Sequence, residues 1–193
     1  MNKTRIEAFS DGVLAIIITI MVLEIKAPIE DNFESLEHLI PVFLSYVLSF
    51  IYVGIYWNNH HHMFQVVKKV NGSILWGNLF LLFWLSLIPF ATSWIGEHHF
   101  ASFPMMLYGI ILLMNGIAFN ILQYQIICSH GKNSDLAQAV GKDYKGKLSV
   151  ILYIIAVIFT KFYVGISGAI YILVALLWLI PDKRIERTIN NKD

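Results

Sequence analysis

Charged residues are scarce in this chain of 193 residues, and cysteine is almost absent. Asp, Glu, Lys and Arg make up 14% of the sequence, against roughly a quarter in soluble domains. Hydrophobic residues reach 57% and the mean hydropathy is +0.64. This composition excludes an ordinary soluble domain and predicts an integral membrane protein. The single cysteine, Cys128, excludes an intrachain disulfide framework and any CxxC metal or redox motif.

An excess of positive charge is also missing. The net charge is +1 and the pI is about 7.9, whereas nucleic-acid binding needs clustered Lys and Arg. Catalytic patterns are missing too, because the apolar segments contain no Ser/His/Asp set, no phosphate-binding loop, no GxGxxG and no acidic pair. We therefore expect no nucleic-acid partner, no enzymatic activity and no cofactor.

The sequence does contain long apolar runs. A helix needs about 20 mostly apolar residues to cross a hydrocarbon core of about 30 Å, and lipid excludes open sheet edges. We predict an all-α integral membrane fold, with residues 1–193 forming one six-helix unit whose helices lie at about 3–26, 36–70, 73–95, 103–129, 147–161 and 163–181. Pro89 predicts a kink in the third helix. The polar stretch 131–146 predicts an interfacial connector.

The last apolar region, 148–180, is short for two crossings, and one helix of 33 residues is the alternative. Gly165, Ser167 and Gly168 favour a break, and the distribution of positive charge decides for two helices. With six spans and both termini cytoplasmic, all Lys and Arg except Lys26 and Lys161 lie on the cytoplasmic side, as the positive-inside rule requires. A single helix would place the basic tail outside. No long charged leader or cleavage site precedes the first helix, so we expect it to be retained.

Ionisable residues lie close to the first span, where they are costly unless paired or wetted. At about 100° per residue, one stripe of this helix holds Glu7, Asp11, Leu14 and Ile18, and the opposite stripe holds Gly12, Ile16, Thr19, Ile20 and Leu23. We expect Asp11 to point into protein and to need a donor, which is Arg5 of a neighbouring segment, a histidine of the second helix or a Trp N–H. Alternatively, Ser10 and Asp11 are interfacial polar residues at a helix start.

Three consecutive histidines, His60 to His62, end the second helix. Zinc binding by one helix needs ligands at i and i+4, and adjacent side chains diverge by about 100°. No HExxH pattern accompanies them. We predict no metal site and favour a solvated interfacial cluster, of which one or two members join a hydrogen-bond network. The outer-loop residues His98 and His99 either tune a response to pH or have no function.

The motif R-x-x-x-F-S-D occurs at Arg5, Phe9, Ser10 and Asp11. The chain thereby resembles the transmembrane protein 175 family of potassium channels. The resemblance continues through the apolar stretch 12–23 and the second-helix cluster of Tyr56, Trp57, Asn58 and His60 to His62. It covers essentially the full chain as one six-helix unit, which implies a prokaryotic member.

The resemblance implies four copies around a central pore lined by the first helix, without a TVGYG filter loop. It also implies roles for single residues. Ile16 would form the hydrophobic constriction, with Ile20 and Leu23 in the same wall, and Thr19 would form a hydroxyl ring that prefers potassium over sodium. The motif itself would lock the first helix to the second through Trp57, Asn58 and a histidine, which is one of His60, His61 and His62.

The leading hypothesis is therefore a potassium-selective leak-type channel in a prokaryotic inner membrane, with K⁺ and lipid as its partners. The acidic outer residues Glu24, Glu30 and Asp31 either concentrate cations at the mouth or only complement the positive-inside rule. A haem or redox protein that uses His61 or His62 with His130 is one alternative. A proton-coupled transporter is another, although it predicts a mid-span ionisable residue and internal repeats. The alternative to a selectivity role for Thr19 is that it is an ordinary helix residue whose hydroxyl bonds to the backbone of its own helix.

Overall fold

A computed structural model describes residues 3–131, 134, 136–137 and 143–179 of the chain. The described residues are helical, with short connections. The helices are α1 (Lys3–Leu23), α2 (Phe33–Glu37), α3 (Ile40–Gln65), α4 (Gly72–Leu85), α5 (Ile88–Glu97), α6 (Ser102–His130), α7 (Tyr144–Phe159) and α8 (Val164–Leu179). The all-α fold is confirmed. Most of the predicted interfacial connector and the basic C-terminal tail lie outside the described residues.

Two prolines interrupt predicted helices, one of them at the kink predicted for Pro89. Pro89 stands at the start of α5, and α4 ends four residues before it at Leu85. Pro41 stands at the start of α3, and α2 ends four residues before it at Glu37. A proline ring clashes with the carbonyl of residue i−4 and removes one helical hydrogen bond. The third predicted helix is therefore interrupted, and the second begins as a separate short helix.

Helix α6 forms the centre of the bundle, packing against α4, α5, α7 and α8, while α3 packs against α5 and α8. Helix α1 packs on one side, against α3, α4 and α5. Two helix backbones can approach each other closely only where small residues lie between them. A Cβ atom at Gly96 of α5 would lie 2.6 Å from the Cα of Val42 in α3, so glycine lets these two backbones meet.

Buried hydroxyl groups connect α3, α5 and α6. The Thr92 and Ser49 hydroxyls lie 2.7 Å apart, and Ser49 lies 2.9 Å from the Tyr108 hydroxyl. The Ser45 hydroxyl donates to the Thr92 carbonyl at 3.1 Å. Buried polar groups are costly unless hydrogen-bonded, so these contacts favour one alignment of the three helices.

The end of α3 shows how a tertiary contact replaces helical hydrogen bonds. The helix stops at Gln65, five residues before the predicted end. Beyond it, the backbone N–H groups of Lys68 and Lys69 donate to Nε2 of His130 at 3.0 and 3.2 Å. An N–H group can only donate, so Nε2 is the acceptor and Nδ1 carries the hydrogen, which it donates to the Ile126 carbonyl at 3.0 Å.

Two helices, not one, occupy the last apolar region. Helix α7 ends at Phe159 and α8 begins at Val164. Thr160 and Ser167 hold the turn together, because their hydroxyls lie 2.9 Å apart and each lies 2.7 Å from the Ala156 carbonyl oxygen. The predicted break is confirmed, and it falls just before Gly165.

Four stretches of the described residues are long and apolar enough to cross a membrane: Lys3–Leu23, Phe33–Gln65, Gly72–Glu97 and Ser102–His130. Helix α8 is apolar but shorter. The chain is a multi-pass membrane protein.

Candidate functional site on the first helix

Helix α1 turns one face to the rest of the chain and leaves the other uncovered. The buried face consists of Ile6, Ser10, Leu14, Ile17 and Met21. The uncovered face is apolar too, with Ile16, Ile20 and Leu23 exposed by 58%, 41% and 78%. In a soluble protein an apolar patch of this kind indicates a contact surface, and in a membrane it faces lipid, another chain or a pathway.

The four residues predicted for the pore all lie on this uncovered face. Thr19 is exposed beside Ile16, Ile20 and Leu23, and no described residue of the same chain covers the stripe. Gly12, one turn before Ile16, has nothing within 4 Å of a Cβ position. The structure therefore brings these candidates together as one surface.

The Thr19 hydroxyl hydrogen is already used in a hydrogen bond. Oγ1 donates to the Ile16 carbonyl at 2.8 Å, within the helix, at i−3. A hydroxyl has one hydrogen and two acceptor lone pairs. The oxygen lone pairs therefore remain available on the exposed side, where they can accept a hydrogen bond or contact a cation.

A buried chain of three polar side chains lies behind α1. The Asn78 amide on α4 donates from Nδ2 to the Ser10 hydroxyl at 2.9 Å, and its Oδ1 lies 2.8 Å from Nε2 of His60 on α3. An amide oxygen only accepts, so Nε2 of His60 carries a hydrogen. All three side chains are at most 3% exposed, and His60 stacks on Phe64 with ring centroids 4.4 Å apart.

A second contact between α1 and α3 lies at the surface. The Trp57 indole N–H donates to Asp11 at 3.0 Å, and the His61 ring stacks on Trp57 with centroids 6.1 Å apart and planes 17° apart. Asp11 is exposed in the single chain, but it has the Trp N–H donor that the sequence predicts for it. Ser10 faces the core instead, so the buried face is rotated by about one residue, which is about 100°.

The remaining motif and cluster residues are less constrained. Arg5 and Phe9 are exposed on α1, and Asn58 is half-buried. His62 is half-buried, and its Nδ1 is a buried atom with no hydrogen-bond partner in the part of the chain that the structure describes. Of the three histidines, the structure thus joins His60 to Ser10 through Asn78 and sets His61 against Trp57.

The geometry does not resemble a haem or metal site. Nε2 of His130, the proposed second axial ligand, accepts two backbone N–H groups, and His61 is bonded to Gln65 at 3.0 Å. Among the described residues no three His, Cys, Asp or Glu side chains are grouped as metal ligands would be.

The C-terminal end of α1 leads into an acidic connection. Glu24 lies 3.4 Å from the Ser93 hydroxyl, and Lys26 lies 4.0 Å from Glu97. Both partners of the Lys26 pair are at least half exposed, and such surface pairs contribute little to stability. Glu30 and Asp31 are exposed in the same connection.

Sequence reasoning did not identify Asn78. A signal was present, since it is the only polar side chain between Trp76 and Ser86 in an otherwise apolar helix. Polar residues inside membrane spans usually hydrogen-bond to another helix. Its partners are distant in the sequence, so the sequence does not identify them.

Comparisons with known proteins agree with this architecture. Residues 5–89 match the family model described as endosomal/lysosomal potassium channel TMEM175. The chain is 59% identical to a potassium channel of Chryseobacterium sp. strain P1-3, over 98% of both chains. It is 34% identical to a potassium channel of Streptomyces collinus, over 65% of this chain and 66% of the other.

A solved structure has a similar fold. The crystal structure of a lysosomal potassium-selective channel TMEM175 homolog from Chamaesiphon minutus is 30% identical, with a TM-score of 0.81 over 93% of this chain and 97% of that one.

Proposed function

The chain belongs to the TMEM175 family of potassium channels, and from that premise we propose that it forms a potassium-selective, leak-type channel through which K⁺ moves passively. The family consists of channels and not of enzymes. The observation that carries the proposal is the uncovered apolar face of α1 with one hydroxyl residue, Thr19, in its middle.

The pore is proposed to be the centre of a homotetramer. One α1 helix cannot enclose a pathway, and closed symmetric rings are the usual form of homo-oligomers. The position of α1 on one side of the bundle supports this assembly. Four chains placed with their α1 helices at the axis would cover the exposed Ile16, Ile20 and Leu23 and leave α6 inside each bundle.

The proposed gate consists of aliphatic rings. Four copies of Ile16, with Ile20 and Leu23 outward of it, would form a dry constriction that opens by wetting, as hydrophobic gates do. Thr19 lies between these rings in sequence. Because its hydrogen is held by the Ile16 carbonyl, its oxygen would face the ion and replace part of the hydration shell.

The remaining motif residues are proposed to hold α1 in place. Ser10 does so through Asn78 and His60, and Asp11 through Trp57. For Arg5, Phe9, Asn58 and His61 we propose contacts that align α1 with α3 or with a neighbouring chain. Rigid support of this kind keeps lining side chains at fixed positions.

We also propose six crossings per chain, with both termini on the cytoplasmic side of a prokaryotic inner membrane. Helices α7 and α8 would supply the last two, and their antiparallel hairpin supports this topology. The acidic connection after α1 then lies at the outer mouth. There Glu24, Glu30 and Asp31 would attract cations over several ångströms.

A haem protein or a proton-coupled transporter is not favoured, because the bacterial relatives are named as potassium channels. The experiment that tests the proposal is a reversal-potential measurement. Purified protein is inserted in planar bilayers with K⁺ on one side and Na⁺ on the other. We expect a reversal potential far from zero, with the sign that K⁺ permeation sets, and a value near zero would contradict selectivity.

A further inference from the structure

A cavity lies inside each bundle, away from the proposed pore. It has a volume of about 40 Å³ and opens between α3, α6, α7 and α8. Its lining residues include none from α1. Room of this size holds about three water molecules or a comparable number of heavy atoms.

Two half-buried amide side chains add polar atoms to a lining that is mostly apolar. Asn59 and Asn120 both line the cavity, and both donate from Nδ2 to a carbonyl of their own helix, Ile55 and Gly116, at 2.8 Å. Only the amide nitrogen can donate to a carbonyl, so the amide oxygens are the atoms left for a ligand. Two acceptors therefore come from α3 and α6.

Tyr56 adds a hydroxyl to the lining. Its side chain is 9% exposed. Its ring packs edge-to-face on Phe119, but its hydroxyl makes no hydrogen bond within the described part of the chain. A buried hydroxyl normally finds a partner, and here the cavity is the side from which one can come.

Asp143 places a carboxylate on the same lining. Its Oδ1 caps α7 by accepting the Gly146 N–H at 3.1 Å, and a carboxylate has further acceptor positions. The residue is half-buried and has φ +38°. Asp143 is the one described lining residue with a formal charge, so its carboxylate is the group that would bind a cation.

Aromatic rings complete the wall. Tyr153 and Trp178 line the cavity together with Phe119, and the Trp178 N–H is already used by the Ser149 hydroxyl at 2.8 Å. The ammonium group of Lys145 lies 6.0 Å from the Trp178 ring centroid. Trp faces attract cations, and Lys145 shows that an ammonium group is accommodated beside this ring.

We propose that this cavity is a binding site for a primary ammonium group on a short aliphatic chain, of about aminoethyl size. The ammonium has three donors for the amide oxygens and the Asp143 carboxylate, and its methylene groups would lie against the aromatic rings. Bulkier quaternary ammonium groups exceed the volume and lack donors. Two sources carry this chemistry: the headgroup of phosphatidylethanolamine, and a free small amine.

The test uses the full-length protein in phosphatidylglycerol nanodiscs, with propylammonium as the probe and propanol as its neutral match. Saturation-transfer NMR measures binding. We expect saturable binding of propylammonium and at least tenfold weaker binding of propanol. Asp143→Asn keeps a capping oxygen and tolerates positive φ, so it removes charge with little change in fold. It should weaken propylammonium binding at least fivefold.

Tyr56→Phe, which removes only the hydroxyl, should also weaken binding. Glu34→Gln is the matched control, because it removes a carboxylate from α2, which does not line the cavity. It should bind like the unmodified protein. Equal affinity for propanol, or unchanged affinity in a folded Asp143→Asn protein, would overturn the proposal.

Nanodiscs of phosphatidylethanolamine identify the source. The site is assigned to the lipid if propylammonium no longer binds in these discs and native mass spectrometry shows phosphatidylethanolamine retained on the protein. Unchanged binding assigns it to a free amine. The readout is ligand binding and not current, so this test and the reversal-potential test fail independently.

Discussion

Asn78 bridges α1 and α3, because its amide nitrogen donates to Ser10 while its amide oxygen accepts from His60. All three residues are buried within an apolar bundle. The bridge fixes the rotation of α1, since Ser10 reaches Asn78 only when the stripe of Ile16 and Leu23 faces outward. The orientation of α1 that forms the buried network is therefore the same orientation that exposes the proposed pore face.

Replacing Asn78 by Leu keeps the approximate size and removes both hydrogen bonds. The Ser10 hydroxyl and the His60 N–H are then left buried and unpaired, at a cost of about 1–3 kcal/mol each. We expect a lower melting temperature of the purified protein. Asn120→Leu is the control, since the Asn120 amide nitrogen bonds only to its own helix. An equal decrease in melting temperature in both variants would show that the Asn78 bridge adds no particular stability.

Asp11→Ala removes the acceptor of the Trp57 indole. A hydrogen bond to a charged group contributes about 1.5–3 kcal/mol, less where it is exposed. We expect fewer assembled oligomers in native mass spectrometry while the K⁺ over Na⁺ preference of those that form is kept. Asp11→Asn, which retains an acceptor oxygen, should assemble better. Stable Asp11→Ala oligomers with an altered ion preference would instead place Asp11 in the pathway.

Four chains should form the conducting species. The uncovered face of α1 carries three large aliphatic side chains, and in a closed ring each would lie against its copies. Native mass measurement from nanodiscs and chemical cross-linking should both give a mass four times that of one chain. A monomer or dimer that conducts would contradict the assembly.

Ile16→Asn places an amide in the proposed constriction. Polar groups lower the cost of wetting a narrow pore, so the conductance for both K⁺ and Na⁺ should rise. Ile29→Asn is the control, because Ile29 is fully exposed in the connection after α1. Its conductance should match that of the unmodified channel. Unchanged conductance in Ile16→Asn would place the barrier elsewhere.

Thr19→Val keeps the side-chain shape and removes one hydroxyl per chain. A lost hydroxyl contact is worth about 1 kcal/mol, and about 1.4 kcal/mol corresponds to tenfold. The K⁺ over Na⁺ permeability ratio should therefore fall several-fold in a reversal-potential measurement. Thr19→Ser keeps the hydroxyl and should keep most of the ratio. If Thr19→Val retains the full ratio, Thr19 acts only within its helix.

The helices were predictable because membrane insertion demands long apolar runs, and the break near Gly165 was visible in small residues. Helix rotation was harder to predict. Both faces of α1 are apolar, so hydrophobic periodicity fixes the spacing of side chains but not which stripe faces the bundle. Asp11 was therefore assigned inward, although Ser10 takes that position through Asn78, whose partners are 68 and 18 residues away.

The end of α3 was missed for a related reason. Val66 and Val67 continue the apolar pattern, so the sequence extends the helix. The backbone amides of Lys68 and Lys69 instead bond to His130, 62 and 61 residues later. A partner that distant leaves no local signal, whereas the proline breaks at Pro41 and Pro89 follow from local sterics.

The shortness of α7 affects the surrounding bilayer. With 16 residues between its Asp143 cap and the Thr160 turn, α7 is about 24 Å long, against about 32 Å for the 21 residues of α1. A hydrocarbon core of about 30 Å must thin beside α7 if both of its ends are to reach polar surroundings. Hydrophobic mismatch costs fractions of a kcal/mol per ångström, so, with α7 as a proposed crossing, we expect lipids with short acyl chains to gather around it and the stability of the protein to depend on membrane thickness.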